Sequence, residues 1–82
     1  MKLKQIFELA KTVAEELKEL YPNVKSIELI YYEECKTSVN LHYKVIDKND
    51  DVFYILLKRL KNENRITILE KTTHYRSSLL LH

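Results

Sequence analysis

Residues 37–46 read Thr-Ser-Val-Asn-Leu-His-Tyr-Lys-Val-Ile. Val39, Leu41, Tyr43 and Val45 fall on one side of an extended chain, and Ser38, Asn40, His42 and Lys44 on the other. Side chains alternate across a strand, so this pattern predicts a strand with one face on a core and the other toward water.

Working outward, the same signal recurs three times. Downstream, Asp47-Lys48-Asn49-Asp50-Asp51 is a short polar break in which Asn49 or Asp50 can take the left-handed conformation. Residues 52–60 follow as a strand that is apolar on both faces at Phe53, Tyr54, Ile55, Leu56 and Leu57. Lys61-Asn62-Glu63-Asn64 makes a second break, and residues 65–73 a fourth strand. Upstream, residues 24–33 alternate Ile27, Leu29 and Tyr31 with Glu28, Ile30 and Tyr32. Three short connections imply an antiparallel meander in the order 1-2-3-4.

Turn positions fix an expected register. Turns centred on Cys35 and Asn49 set Ile27 opposite Tyr43, Leu29 opposite Leu41 and Tyr31 opposite Val39. They also set Val45 opposite Phe53, Tyr43 opposite Ile55 and Leu41 opposite Leu57. A four-residue turn at 61–64 places Leu57 opposite Ile68, Arg59 opposite Ile66 and Glu70 opposite Ile55. The inner rows are then apolar except at the margins of the fourth strand. A slip of one residue would expose a whole apolar face, so the agreement supports the register.

Residues 2–21 supply the second layer. Leu3, Ile6, Phe7, Ala10, Val13, Ala14, Leu17, Leu20 and Tyr21 recur at spacings of three and four, which predicts an amphipathic helix. Pro22 ends it, because proline has no amide hydrogen and disfavours a helical residue before it. The expected fold is therefore α+β, a single domain over residues 1–82. One N-terminal helix packs across a four-stranded antiparallel meander.

Composition narrows the function classes. The 82 residues carry a formal charge of +2, 45% hydrophobic and 32% charged residues, as in an ordinary globular domain. No apolar run approaches the ~20 residues of a membrane span, and a single cysteine rules out an internal disulfide framework. The expected location is cytoplasmic. Glycine is absent, so phosphate-cradling loops and nucleophile elbows cannot be built in their usual form. Cys35 lies beside Glu33 and Glu34, which disfavour a thiolate, and it has no neighbouring base in this register. His42, His74 and His82 share no metal-ligand spacing. Neither enzymatic activity nor a cofactor is expected.

One helix covers one face, so function is expected on the other. Its rows are expected to read Glu28-His42-Leu56-Leu69, Ser26-Lys44-Tyr54-Lys71 and Ile30-Asn40-Lys58-Thr67. Ile30, Tyr32, Tyr54, Leu56 and Leu69, ringed by Lys44, Lys58 and Lys71, form the expected partner-binding surface. Contiguous apolar residues of this kind mark protein interfaces. Leu79, Leu80 and Leu81 in the tail are a further contact candidate, folding over an open core edge, meeting a second chain or staying disordered. The expected function is a non-enzymatic protein-interaction module that binds another protein, itself, or both, a homodimer being the self-associated form. Small glycine-free chains rich in Lys, Asn, Ile and Tyr are often phage or mobile-element products. An anti-CRISPR-like inhibitor of a host or defence protein is therefore one concrete form, by association alone. The alternative is a weak RNA- or DNA-binding module, with bases on Tyr54 or Tyr32 and phosphates on Lys44, Lys58 and Lys71.

Overall fold

The computed structural model describes residues 1–75. Helix α1 (Leu3–Leu20) is followed by strands β1 (Val24–Glu34), β2 (Ser38–Asp47), β3 (Val52–Leu60) and β4 (Ile66–Thr72). The strands form one antiparallel sheet in the order β1-β2-β3-β4, so the arrangement is α+β with a meander. Helix α1 starts where the Lys2 amide donates to Gln5 Oε1 at 2.8 Å and ends at Tyr21, whose amide reaches the Leu17 carbonyl at 2.9 Å. Asp50 takes the left-handed conformation in the β2–β3 turn, with φ 64°. Asp47 Oδ1 braces that turn by accepting from the Asn49 and Asp51 amides.

The core lies between α1 and the middle of the sheet. Ile6, Ala10, Val13 and Leu17 are buried against Val39, Leu41, Tyr43, Val45, Ile55 and Leu57. The Tyr43 hydroxyl crosses the layer and donates to the Ala10 carbonyl at 2.6 Å. The helix face is narrower than expected. Leu3 (52% exposed), Phe7 (48%) and Leu20 (60%) stand clear of the core, whereas Leu9 joins it. Geometry supplies the reason. A helix is about 10–12 Å across and strands are spaced about 4.8 Å apart, so one helix spans roughly two of four strands. β2 and β3 receive that cover, and β1 and β4 are its flanks.

Between β2 and β3 the pairing is as expected, with Val45 opposite Phe53, Tyr43 opposite Ile55 and Leu41 opposite Leu57. The flanking strands each depart from strict alternation. In β1, Ile27 pairs with Val45 and Leu29 with Tyr43, two residues from the expected register. The turn is centred later than Cys35, where the Cys35 amide donates to the Ser38 carbonyl at 2.8 Å. Glu33 pairs with Asn40 and Glu34 with Val39, so the turn is centred between Lys36 and Thr37. A bulge makes up the odd residue, leaving Ile27 and Leu29 on their expected face. Ile30 is then an extra residue, and Tyr31 pairs with His42 and Tyr32 with Leu41. A one-residue bulge exchanges the faces of everything beyond it. Tyr32 therefore turns inward, half-buried against the core, and Tyr31 turns outward.

β4 does the same at Leu69. Leu57 pairs with Ile68 as expected, but Leu56 pairs with Glu70 and Ile55 with Lys71. Without the extra residue the Glu70 carboxylate would sit in the inner row, where burial of an unpaired charge is costly. With it, Glu70 faces outward and Lys71 takes the inner margin. The Lys71 ammonium lies 4.8 Å from the Tyr21 ring centre and 4.7 Å from that of Phe53. A long apolar stem with its charge over aromatic faces tolerates such a place better than a carboxylate does.

Candidate functional site

Outward side chains follow from these pairings. One row is Tyr31-His42-Leu56-Glu70, the next Glu28-Lys44-Tyr54-Thr72, the third Glu33-Asn40-Lys58-Thr67. The expected ring of three lysines is thus two, Lys44 and Lys58, set among Glu28, Glu33 and Glu70. The expected contact between His42 and Glu28 gives way to Tyr31 against His42.

This face is aromatic and largely self-covered. The rings of Tyr31 and His42 are 4.8 Å apart, those of His42 and Tyr75 5.7 Å, and those of Tyr75 and Tyr54 5.1 Å. The Tyr75 hydroxyl lies 2.9 Å from His42 Nδ1. His42 is 9% exposed and Leu56 6%, although no helix among the described residues covers this side of the sheet. Burial pulls the His42 pKa below its ordinary value, against the opposing pull of Glu33 and Glu70. Burial raises that of Tyr75, with Tyr31 adding to it. Tyr31 is raised as well, first by burial and then by Glu33.

The expected surface residues therefore scatter. Lys44, Tyr54 and Lys58 are half-buried on the outer face, and Leu56 is buried there. Leu69, 59% exposed, is the bulged residue of β4 at the sheet edge. Tyr32 and Lys71 belong to the helix side, for the reasons given above. Ile30, 38% exposed, sits at the β1 bulge. Leu79, Leu80 and Leu81 lie outside the described residues.

A second surface emerges on the flank between α1 and β1. A groove runs there over Ala10, Ala14, Ile27, Leu29 and Tyr43, with Lys11, Glu15 and Lys18 along its rim. It continues past Phe7 into a hollow lined by Leu29, Ile30, Tyr31 and Tyr32. Phe7 meets the Tyr32 ring edge-on at 5.8 Å. Ala10 and Ala14 are the local cause of the groove, since short side chains leave space between the helix and the edge strand. The sequence carried one signal for it. Ile6 and Phe7 are adjacent, and the helix buries Ile6 in the core while leaving Phe7 half exposed.

Charged groups elsewhere do structural work. Glu34, beside the β1–β2 turn, accepts from Lys61 and from the Met1 amine, which pulls its pKa below the ordinary carboxylate range. Arg59 is buried at the end of β3, donating to the Leu60 carbonyl and, at 2.6 Å, to Asn64 Oδ1. Cys35 is half-buried beside Glu33 and Asn40. Among the described residues no three His, Cys, Asp or Glu side chains converge as a metal set. No helix among them is long and apolar enough to cross a membrane. Comparison with known proteins gives no significant match to a protein family, a curated protein or a solved structure.

Proposed function

We propose that this chain is a non-enzymatic protein-interaction module that docks another protein chain along the flank between α1 and β1. The observation that carries the reading is Phe7, a large aromatic residue 48% exposed at the lip of an apolar groove. Leu3 one turn before it and Ile30 across from it are exposed too, so the apolar area is contiguous. Contiguous apolar area beside a groove is what protein interfaces use. A second copy of the chain is the simplest partner. Occupying a partner's surface is also how a phage or mobile-element inhibitor of a host or defence protein would act.

The outer-face charge speaks against the nucleic-acid alternative. Three glutamates stand among two lysines where a polyanion would lie, and phosphate binding depends on cations. Light scattering at micromolar protein tests self-association: a mass above that of one chain is expected. Phe7→Glu with Ile30→Glu should return it to one chain while circular dichroism stays native. A single-chain mass for the unmodified protein at every concentration would exclude the second copy. Unchanged association in the double variant would exclude this flank.

A further inference from the structure

Among the described residues the outer face has no second layer, yet two of its central residues are nearly inaccessible. His42 is 9% exposed and Leu56 6%. The visible cover over His42 is shared by Tyr31, its neighbour on β1, and Tyr75, three residues beyond the end of β4. After Thr72, which pairs with Tyr54, the chain turns through Thr73 and His74, where the His74 amide donates to the Thr72 hydroxyl oxygen at 3.1 Å. Tyr75 then lays its ring on that of Tyr54 in β3 and carries its hydroxyl on to His42 in β2. The end of the described chain thus reaches back over two strands.

We propose that Tyr75 is a self-docked latch on the outer face, held in a site made by Tyr31, His42 and Tyr54, and that protonation of His42 releases it. The occupant of the site is the side chain of Tyr75, the last described residue. Opening it exposes a row of aromatic rings that the closed form conceals.

The chemistry of the contact gives the switch its direction. A neutral imidazole with its proton on Nε2 accepts the Tyr75 O–H at Nδ1, whereas an imidazolium has only donors. Protonation removes that acceptor, leaving the Tyr75 hydroxyl only to accept from Nδ1–H. It also places a charge among Tyr31, Tyr75 and Leu56, away from water, and that buried charge is what weakens the closed form. The charged neighbours are Glu33 from β1, Lys44 from β2 itself, Lys58 from β3 and Glu70 from β4. Glu33 and Glu70 favour the cation but do not overcome burial. The closed form binds the proton less well than an open form with solvated His42. Closure is therefore complete above the ordinary histidine pKa of 6.5 and weakens as pH falls below it.

Nuclear magnetic resonance titration of the full chain tests this, with His42→Gln assigning the ring signals. In the unmodified protein His42 should titrate below 6.5. The Tyr54 and Tyr75 ring signals should lose their mutual shifts over the same pH range. Tyr75→Ala should move the His42 midpoint up toward 6.5, and Tyr75→Phe, which keeps the ring but not the hydroxyl, should move it less. Tyr75 lies outside the sheet, so both variants should keep native circular dichroism. An unchanged His42 midpoint in Tyr75→Ala would overturn the latch. Tyrosine signals that stay fixed while His42 titrates would overturn its release.

Discussion

The central strands β2 and β3 and the flanking strands β1 and β4 are built by different rules. β2 and β3 pair without interruption from Ile46 opposite Val52 to Ser38 opposite Leu60. β1 and β4 each carry an extra residue near the middle, Ile30 and Leu69, beyond which the side chains change face. The centre is fixed by burial under α1, where a slip would expose a whole row. The flanks lie at the limit of what one helix covers. There a bulge can aim individual side chains, turning Tyr32 toward Phe7 and Glu70 toward water. Bulges also blunt exposed sheet edges against unintended strand pairing.

Substitutions can sharpen or break this contrast. The largest effect is expected at the centre: Leu41→Ala or Leu57→Ala, both fully buried, should cost about 2–5 kcal/mol in denaturant unfolding. Leu69→Ala, the same truncation in a flanking strand, should stay within about 0.5 kcal/mol. Equal losses at the two places would refute the division. Tyr43→Phe removes the hydrogen bond that ties β2 to the Ala10 carbonyl and should cost about 1 kcal/mol by the same measurement.

The β4 bulge has its own test. Lys71→Ala should cost about 0.5–1 kcal/mol, because the ammonium lies over Tyr21 and Phe53 on the helix side. A neutral result would return Lys71 to the outer face and remove the bulge. The smallest effect concerns pH. Glu34 is held below its ordinary value of 4.5 by Lys61 and the Met1 amine, so its contribution is present above that value. It is lost as pH falls through the lowered one. Glu34→Gln should flatten the acid limb of a stability–pH curve, and an unchanged limb would show that these contacts are too solvated to matter.

Much of the fold was legible in residues 24–73 because the alternation is strong and the polar breaks are short. The expected strand limits and the order of the sheet hold to within a residue. The expected surface is less well recovered, for a specific reason. A face assignment carried along a strand assumes that no residue is inserted, whereas β1 inserts two, at Lys25 and Ile30, and β4 one, at Leu69. Unbroken alternation therefore puts Tyr32 and Lys71 on the wrong side and gives the outer face the wrong balance of charge. Phe7 was misplaced by another route: the apolar stripe of α1 is wider than the surface the sheet offers it. Tyr75 gave no pattern at all, being one aromatic residue beyond the last strand.

By itself the sequence determined the local periods, and with them α1, the four strands, the meander and the β2–β3 register. These depend on neighbours two to four residues apart, and on turns too short to allow alternatives. Tertiary structure decided where the extra residues fall, which side of the sheet Tyr32, Glu70 and Lys71 take, and what covers His42. Each of those choices is set by a residue more than ten positions away in the chain. Phe7 lies under Tyr32, Tyr21 and Phe53 under Lys71, and Tyr75 over His42. Contacts of that range exist only once the helix has settled on the sheet and left its flanks open.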